Sequence, residues 1–325
     1  MRGRGTARRA VALLLILLIG CSSAGTVERV PIPPGSTLRS IADSLASHRV
    51  IRSRNWFRLR ARLAHIDRDA KAGIYEFPRG TSIATVLRAL KSGSALQFRI
   101  TLPVGGTLFD LARNAQERLS IPRESILVAA RDSALLRRLG VPGPSAEGWL
   151  LPESFDFGGF DRASEVIARF VSAREHGWDA TWDARAKSAG LDRATLLTLA
   201  SIVEAEAKLP DDRPLIAAVY RNRLRLGMPL QADPTIEYAY LLENGERKGR
   251  LYTVDYQLDS PWNTYRRQGL PPGPIGNPSR EAIESVLSPA SVPYLYFVAG
   301  PDGRSVFATT YSEHLRNIRN ARPGR

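Results

Sequence analysis

Apolar positions along this chain fall into two kinds of pattern, and the switch between them marks the elements. Val30 and Ile32, two residues apart, predict a first strand, and residues 73–77 predict a second. Between and after them the apolar spacing widens to that of helices, so residues 27–94 read strand, helix, helix, strand, helix. A short phrase recurs three times: Pro33, Gly35, Thr37, Leu38, Ile41; Pro78, Gly80, Ser82, Ile83, Val86; and Pro103, Gly105, Thr107, Leu108, Leu111. In each copy Pro and Gly make a turn, Ser or Thr caps, and an amphipathic helix follows.

Further helices are predicted over 108–119, 123–139, 164–176 and 182–190, with a Gly- and Pro-rich loop over 140–148. The clearest helix spans 192–207, with Asp192 as N-cap and Leu196, Leu199, Ala200 and Val203 on one stripe. Another starts after Asp211 or Asp212, carries Pro214 in its first turn and stops at Gly227. Segments 230–238, 260–265 and 269–278 are then polar or rich in Pro and Gly and read as stiff loops. The expected class is α+β: a small module over 28–95 and a larger mixed α/β domain over 96–320, preceded by a targeting segment (1–27) and followed by a basic tail (321–325).

The ends change the picture. Residues 1–9 hold four arginines and no acid, and an apolar run over 10–20 follows, which is an export and membrane signature. It places the chain beyond about residue 28 outside the cytoplasmic membrane. The run is about half of the roughly 20 residues a spanning helix needs. Three readings stay open: a marginal transmembrane span extended through Val27, a lipobox at 18–21 with Cys21 lipidated, or a cleaved secretory signal. Cys21 is the only cysteine, so the body has neither a disulfide nor a thiolate site. The formal charge of +14 is spread along the chain without a nucleic-acid module, which argues against nucleic acid as a partner. It suits anionic lipid or wall polymer, or simply reflects an arginine-rich composition.

Glu204 sits beside the apolar stripe of the 192–207 helix, where lost hydration would favour the protonated acid. Glu206 lies about 200° around and is expected to point away. The competing reading pairs Glu204 with Arg213 or Arg221. Gln231, Asp233, Asn263, Thr264 and Tyr265 offer groups that bind sugar hydroxyls, and Trp262 and Tyr265 offer stacking faces. The alternative is a structural loop whose polar groups cap helices. His48, His65, His176 and His314 show no ligand spacing, so no metal or other cofactor is expected, although His314 either lines a cleft or packs. No Gly-x-Ser-x-Gly elbow is present.

The ordered segments EGWLLPES (147–154), LASIVEAE (199–206), LQADPTIEY (230–238), SPWNTY (260–265), GLPPGPIGNP (269–278), YLYFVAG (294–300) and YSEHLRNIR (311–319) together resemble the endolytic murein transglycosylase family, MltG or YceG-like. The phrase at 32–41 also resembles the opening of a LysM-type wall-binding module. The resemblance implies a membrane-anchored, extracytoplasmic (periplasmic) lytic transglycosylase. It would cut nascent peptidoglycan glycan strands to 1,6-anhydro ends, with Glu204 as the catalytic glutamate and peptidoglycan synthases as partners; Gln231, Asp233, Asn263, Thr264 and Tyr265, chosen for their side-chain chemistry, are the substrate-binding residues expected beside it. A hydrolase using the same glutamate and a non-catalytic wall-binding scaffold remain the alternatives.

Overall fold

A computed structural model of the chain describes residues 26–66, 69–300 and 302–321. The proposed anchor, with Cys21, and most of the basic tail lie outside the described residues. Among those described, no helix is long and apolar enough to cross a membrane. The chain divides into two compact units at Leu96/Gln97.

The first unit runs β1 (Val27–Ile32), α1 (Leu38–Ser47), α2 (Arg54–Leu63), β2 (Gly73–Pro78), α3 (Ile83–Ser92). The strands pair antiparallel, Val30 opposite Tyr75 and Ile32 opposite Gly73. Alternation puts Val30, Ile32, Tyr75 and Phe77 on the inner face, where Ile41, Leu45, Phe57 and Leu90 from the helices meet them. Thr37 and Ser82 each accept from a backbone amide in the first turn of the helix they precede, so the repeated phrase is a capping device.

The second unit begins with β3 (Gln97–Thr101), α4 (Leu108–Leu119), α5 (Arg123–Ala129), α6 (Ser133–Arg138), β4 (Ser154–Gly158), α7 (Ala163–His176) and α8 (Trp182–Ser188). It continues with α9 (Arg193–Glu206), α10 (Arg213–Arg225), α11 (Asp233–Asn244), α12 (Arg280–Leu287), β5 (Tyr296–Ala299), β6 (Ser305–Ala308) and α13 (Tyr311–Ala321). Its sheets are two antiparallel ribbons, β3–β4 and β5–β6. The larger domain is therefore mixed, with many helices and small two-stranded ribbons, and Ile100 of β3 and Phe157 of β4 reach into its core. The predicted helix over 123–139 breaks into α5 and α6, because Asp132 accepts from Leu135 N and starts a new helix. Segment 230–238, read as a loop, is mostly α11, with Pro234 in the first turn where its missing N–H costs nothing.

Helix α9 is the axis of this unit. Every residue from Leu196 to Val203 is buried, against α8, α10, α11 and α12. Asp192 caps it by accepting from Thr195 N. Around it, distant segments are tied by buried polar groups. Asn277 Oδ1 accepts from Leu150 N, and Asn277 Nδ2 donates to Gly106 O and to Glu147 Oε1. Gly148 sits between these strands of chain with φ of +83°, and a Cβ there would overlap the Pro274 ring. Gly148→Ala is expected to destabilise the unit by about 3 kcal/mol, since both the positive φ and the overlap must be relieved; a melting curve checks it.

Candidate active site

Glu204 is held by hydrogen bonds in the last turn of α9. Its side chain is 5% exposed, and Oε1 accepts from Arg213 Nη2 at 2.9 Å. Oε2 accepts from Ser279 N at 2.8 Å and from Ser279 Oγ, the N-cap of α12. Three donors replace the apolar setting expected from the stripe, so Glu204 ties α9, α10 and α12 together. The wholly buried run of α9 ends at Val203, and Glu204 follows it in the last turn of the helix.

Glu206 is the last residue of α9 and, against the expectation that it points away, is enclosed. It lines a cavity of 480 Å³ together with Lys208, Tyr220, Arg223, Gln231, Asp233, Tyr265 and His314. Burial pushes its carboxyl up to about 7, and the nearby charges of Asp233 and Glu237 act in the same direction. Tyr220 OH donates to Glu206 Oε1 at 3.0 Å and Arg223 opposes the rise; neither outweighs the lost hydration. Glu206 thus holds its proton into the neutral range.

Asp233 faces the same cavity from the first turn of α11. Its Oδ1 accepts from Tyr265 OH at 2.6 Å, and its Oδ2 is 3.5 Å from Tyr256 OH. Burial, reinforced by Asp233, raises the Tyr265 phenol well above its ordinary range, so Tyr265 acts as a fixed donor. Gln231 is exposed at the rim with φ of +52°, its backbone N–H donating to Thr264 O.

The structure therefore brings Gln231, Asp233 and Tyr265 together and leaves Asn263 and Thr264 out. Asn263 is fully buried, its Nδ2 donating to Tyr256 O and Leu258 O and its Oδ1 accepting from Tyr265 N. Thr264 Oγ1 accepts from Ala232 N and bonds Thr235 Oγ1, which fixes the start of α11. The hydrogen-bonding groups of both are thus engaged within the loop around Tyr265 and the start of α11. Trp262 also leaves the cleft, packing edge-on to Tyr238 at 4.8 Å and lining a separate cavity of 310 Å³.

The far wall comes from the end of the chain. Phe297, Val298 and Ala299 of β5, Ser305 of β6, and Tyr311, His314 and Ile318 of α13 line it. Asp212 Oδ2 accepts from Ser305 N at 2.8 Å and pins the ribbon to the start of α10. Arg223 holds it too, donating to Leu295 O at 2.7 Å and to Leu230 O at 2.6 Å. His314 stacks on Tyr296 at 5.2 Å, and burial, with Arg223, lowers its basicity. No group of three or more metal-ligating side chains occurs among the described residues.

A carboxyl that keeps its proton near neutral pH, open to a polar cavity and beside a second acid, defines an acid–base site. The chain belongs to the YceG-like family, whose sequence profile matches residues 30–320. It is 31% identical over 304 residues to the endolytic murein transglycosylase of Bacillus subtilis, covering 89% of this chain and 83% of that protein. The endolytic murein transglycosylase of Streptococcus pneumoniae is 30% identical over 317 residues, covering 89% of this chain and 57% of that protein. A crystal structure of a YceG-like protein from Listeria monocytogenes superposes with a TM-score of 0.62 at 28% identity, covering 89% of this chain and 98% of that one.

Proposed function

We propose that this protein is an endolytic peptidoglycan lytic transglycosylase in which Glu206, rather than Glu204, is the proton donor. The observation that carries this reading is the Glu206 carboxyl, protonated up to about pH 7, facing a cavity that also presents Asp233, Gln231 and Tyr265. Protonated Glu206 donates to the oxygen linking N-acetylmuramic acid to N-acetylglucosamine, and the C1–O bond breaks. The carboxylate left behind takes the proton of the muramic acid C6 hydroxyl, and that oxygen closes on C1. The nucleophile belongs to the substrate, so the water-activating second carboxylate of inverting hydrolases has no counterpart in the scheme. Asp233, held by Tyr265, faces the positive charge developing at C1, and Gln231 meets sugar amide or hydroxyl groups at the rim.

In the same reading the first unit is a LysM-like wall-binding module. The chain is anchored by its N-terminal segment with both units outside the cytoplasmic membrane, and cutting inside nascent strands ends their elongation beside the synthases. Mass spectrometry of products from residues 26–325 incubated with peptide-bearing glycan strands tests the chemistry. Ends lighter than the hydrolytic product by one water are expected; reducing ends instead would make the enzyme a muramidase, and binding without products would make it a scaffold. Because the acid must be protonated to act, activity is expected to fall as pH rises through about 7, and a pH–rate profile of kcat/KM checks it.

A further inference from the structure

Helix α2 has two apolar faces, and the core of the first unit uses only one. Phe57 and Ala61 are buried, whereas Trp56, Leu59 and Leu63 are 53%, 47% and 69% exposed. On a helix those three positions fall within about 60° of one another and nearly opposite the buried pair. Large apolar side chains lined up toward solvent need a partner, since singly scattered ones are ordinary but a stripe is not.

The charges around the stripe name that partner. Helix α2 carries four arginines and no acid. Arg54 pairs with Asp43 at 3.0 Å, while Arg60 lies over the Trp56 ring, 6.0 Å from its centre. Arg58, Arg60 and Arg62 flank the stripe on its two sides, and no carboxylate among the described residues pairs with them. Arg88 and Lys91 of α3 share a shallow pocket with Leu63 and Arg60, which widens the basic margin. Residues 26–96 together carry 13 basic and 5 acidic side chains.

An exposed Trp-Leu-Leu stripe edged by arginines is the composition of a helix that lies in the interface of an anionic bilayer, rings and leucines among the acyl chains and guanidinium groups at the phosphates. A glycan strand or an anionic wall polymer would answer the arginines but offers nothing apolar to cover two leucines. We propose that α2 docks the first unit onto an anionic membrane surface, a second attachment separate from any N-terminal anchor. The proposal rests on α2 and the basic residues of α3 beside it and is independent of the cleavage chemistry.

The test uses residues 26–325, which contain both cores and omit the segment expected to anchor. Flotation with vesicles of phosphatidylglycerol and phosphatidylcholine in equal parts is expected to carry the protein, and vesicles of phosphatidylcholine alone are not. The double variant Leu59→Gln/Leu63→Gln, both sites being surface positions, is expected to weaken partitioning by at least roughly tenfold with an unchanged melting temperature. Raising salt weakens it further, and brominated acyl chains quench fluorescence that is lost in Trp56→Phe. Equal binding to both vesicle types, no binding, or full binding by the double variant overturns the proposal. So does a double variant that loses binding to purified peptidoglycan sacculi while vesicle binding stays, because α2 would then be a wall contact.

Discussion

Glu206→Gln is expected to lower glycan cleavage by about 10²–10⁴-fold while the protein stays folded, because a carboxamide cannot give up a proton to the leaving oxygen. The paired experiment is Glu204→Gln, for which the opposite signature is expected. Glu204 accepts from Arg213 and from two groups of Ser279, so the amide leaves a largely buried guanidinium without its counter-charge. That costs stability, about 2–3 kcal/mol, and leaves a folded fraction that still cleaves. Single-turnover cleavage and thermal melts of both variants separate the two roles. If Glu204→Gln stops cleavage at an unchanged melting temperature while Glu206→Gln cleaves normally, the proton donor is Glu204 after all. Glu206→Gln carries a further signature in stability. A carboxyl held near 7 in the fold and near 4.5 when unfolded stabilises most below about pH 4.5, and that contribution is lost as pH rises through about 7. Wild type is therefore expected to lose stability relative to Glu206→Gln across that window.

The second large effect is on the fold. Glu147 is buried between the start of α4 and the 269–278 loop: Oε2 accepts from Leu108 N and Tyr238 OH, and Oε1 from Asn277 Nδ2. Burial pushes its carboxyl up to about 7, against the hydrogen bonds from Leu108 N and Tyr238 OH, which favour the carboxylate. Glu147→Ala strands the Leu108 amide and one Asn277 proton in a dry site. The expected loss is about 4 kcal/mol, a drop of about 8–16 °C in melting temperature. A circular dichroism melt measures it, and a change of under 2 °C, on the order of 0.5 kcal/mol, would mean that these donors find other partners. Cleavage by the folded fraction should persist, because Glu147 is not among the groups lining the cleft.

What the sequence made legible was local. Thr37, Ser82 and Thr107 cap the helices their Pro-Gly turns announce, and Asp192 caps α9, because capping depends on neighbours three residues apart. Gln231, Asp233 and Tyr265 were readable as a cleft because their polarity stands out among apolar flanks. Glu206 was misread for a global reason. Periodicity gives direction relative to a buried stripe, and α9 is buried on every side from Leu196 to Val203, so only its end is open. Thr198 and Ser201, three residues apart, read as a polar face in the sequence, yet both are buried with their hydroxyls donating to backbone carbonyls, so the burial of α9 on that side was not legible. Asn263 and Thr264 share residue types with true cleft groups, and only the distances to Tyr256 O, Leu258 O and Ala232 N show that their hydrogen-bonding capacity is already used. The roles of Arg223 and Asp212, both holding the terminal ribbon, join residues up to 93 apart in sequence.

That ribbon bears on the protonation of Glu206. The cleft opens at the end of α9, and its opposite wall is β5, β6 and α13, which contribute Phe297, Ser305, Tyr311, His314 and Ile318. With that wall swung away, Glu206 would face water, its carboxyl hydrated and ready to ionise. Local opening of the ribbon and α13 therefore sets how firmly this carboxyl keeps its proton.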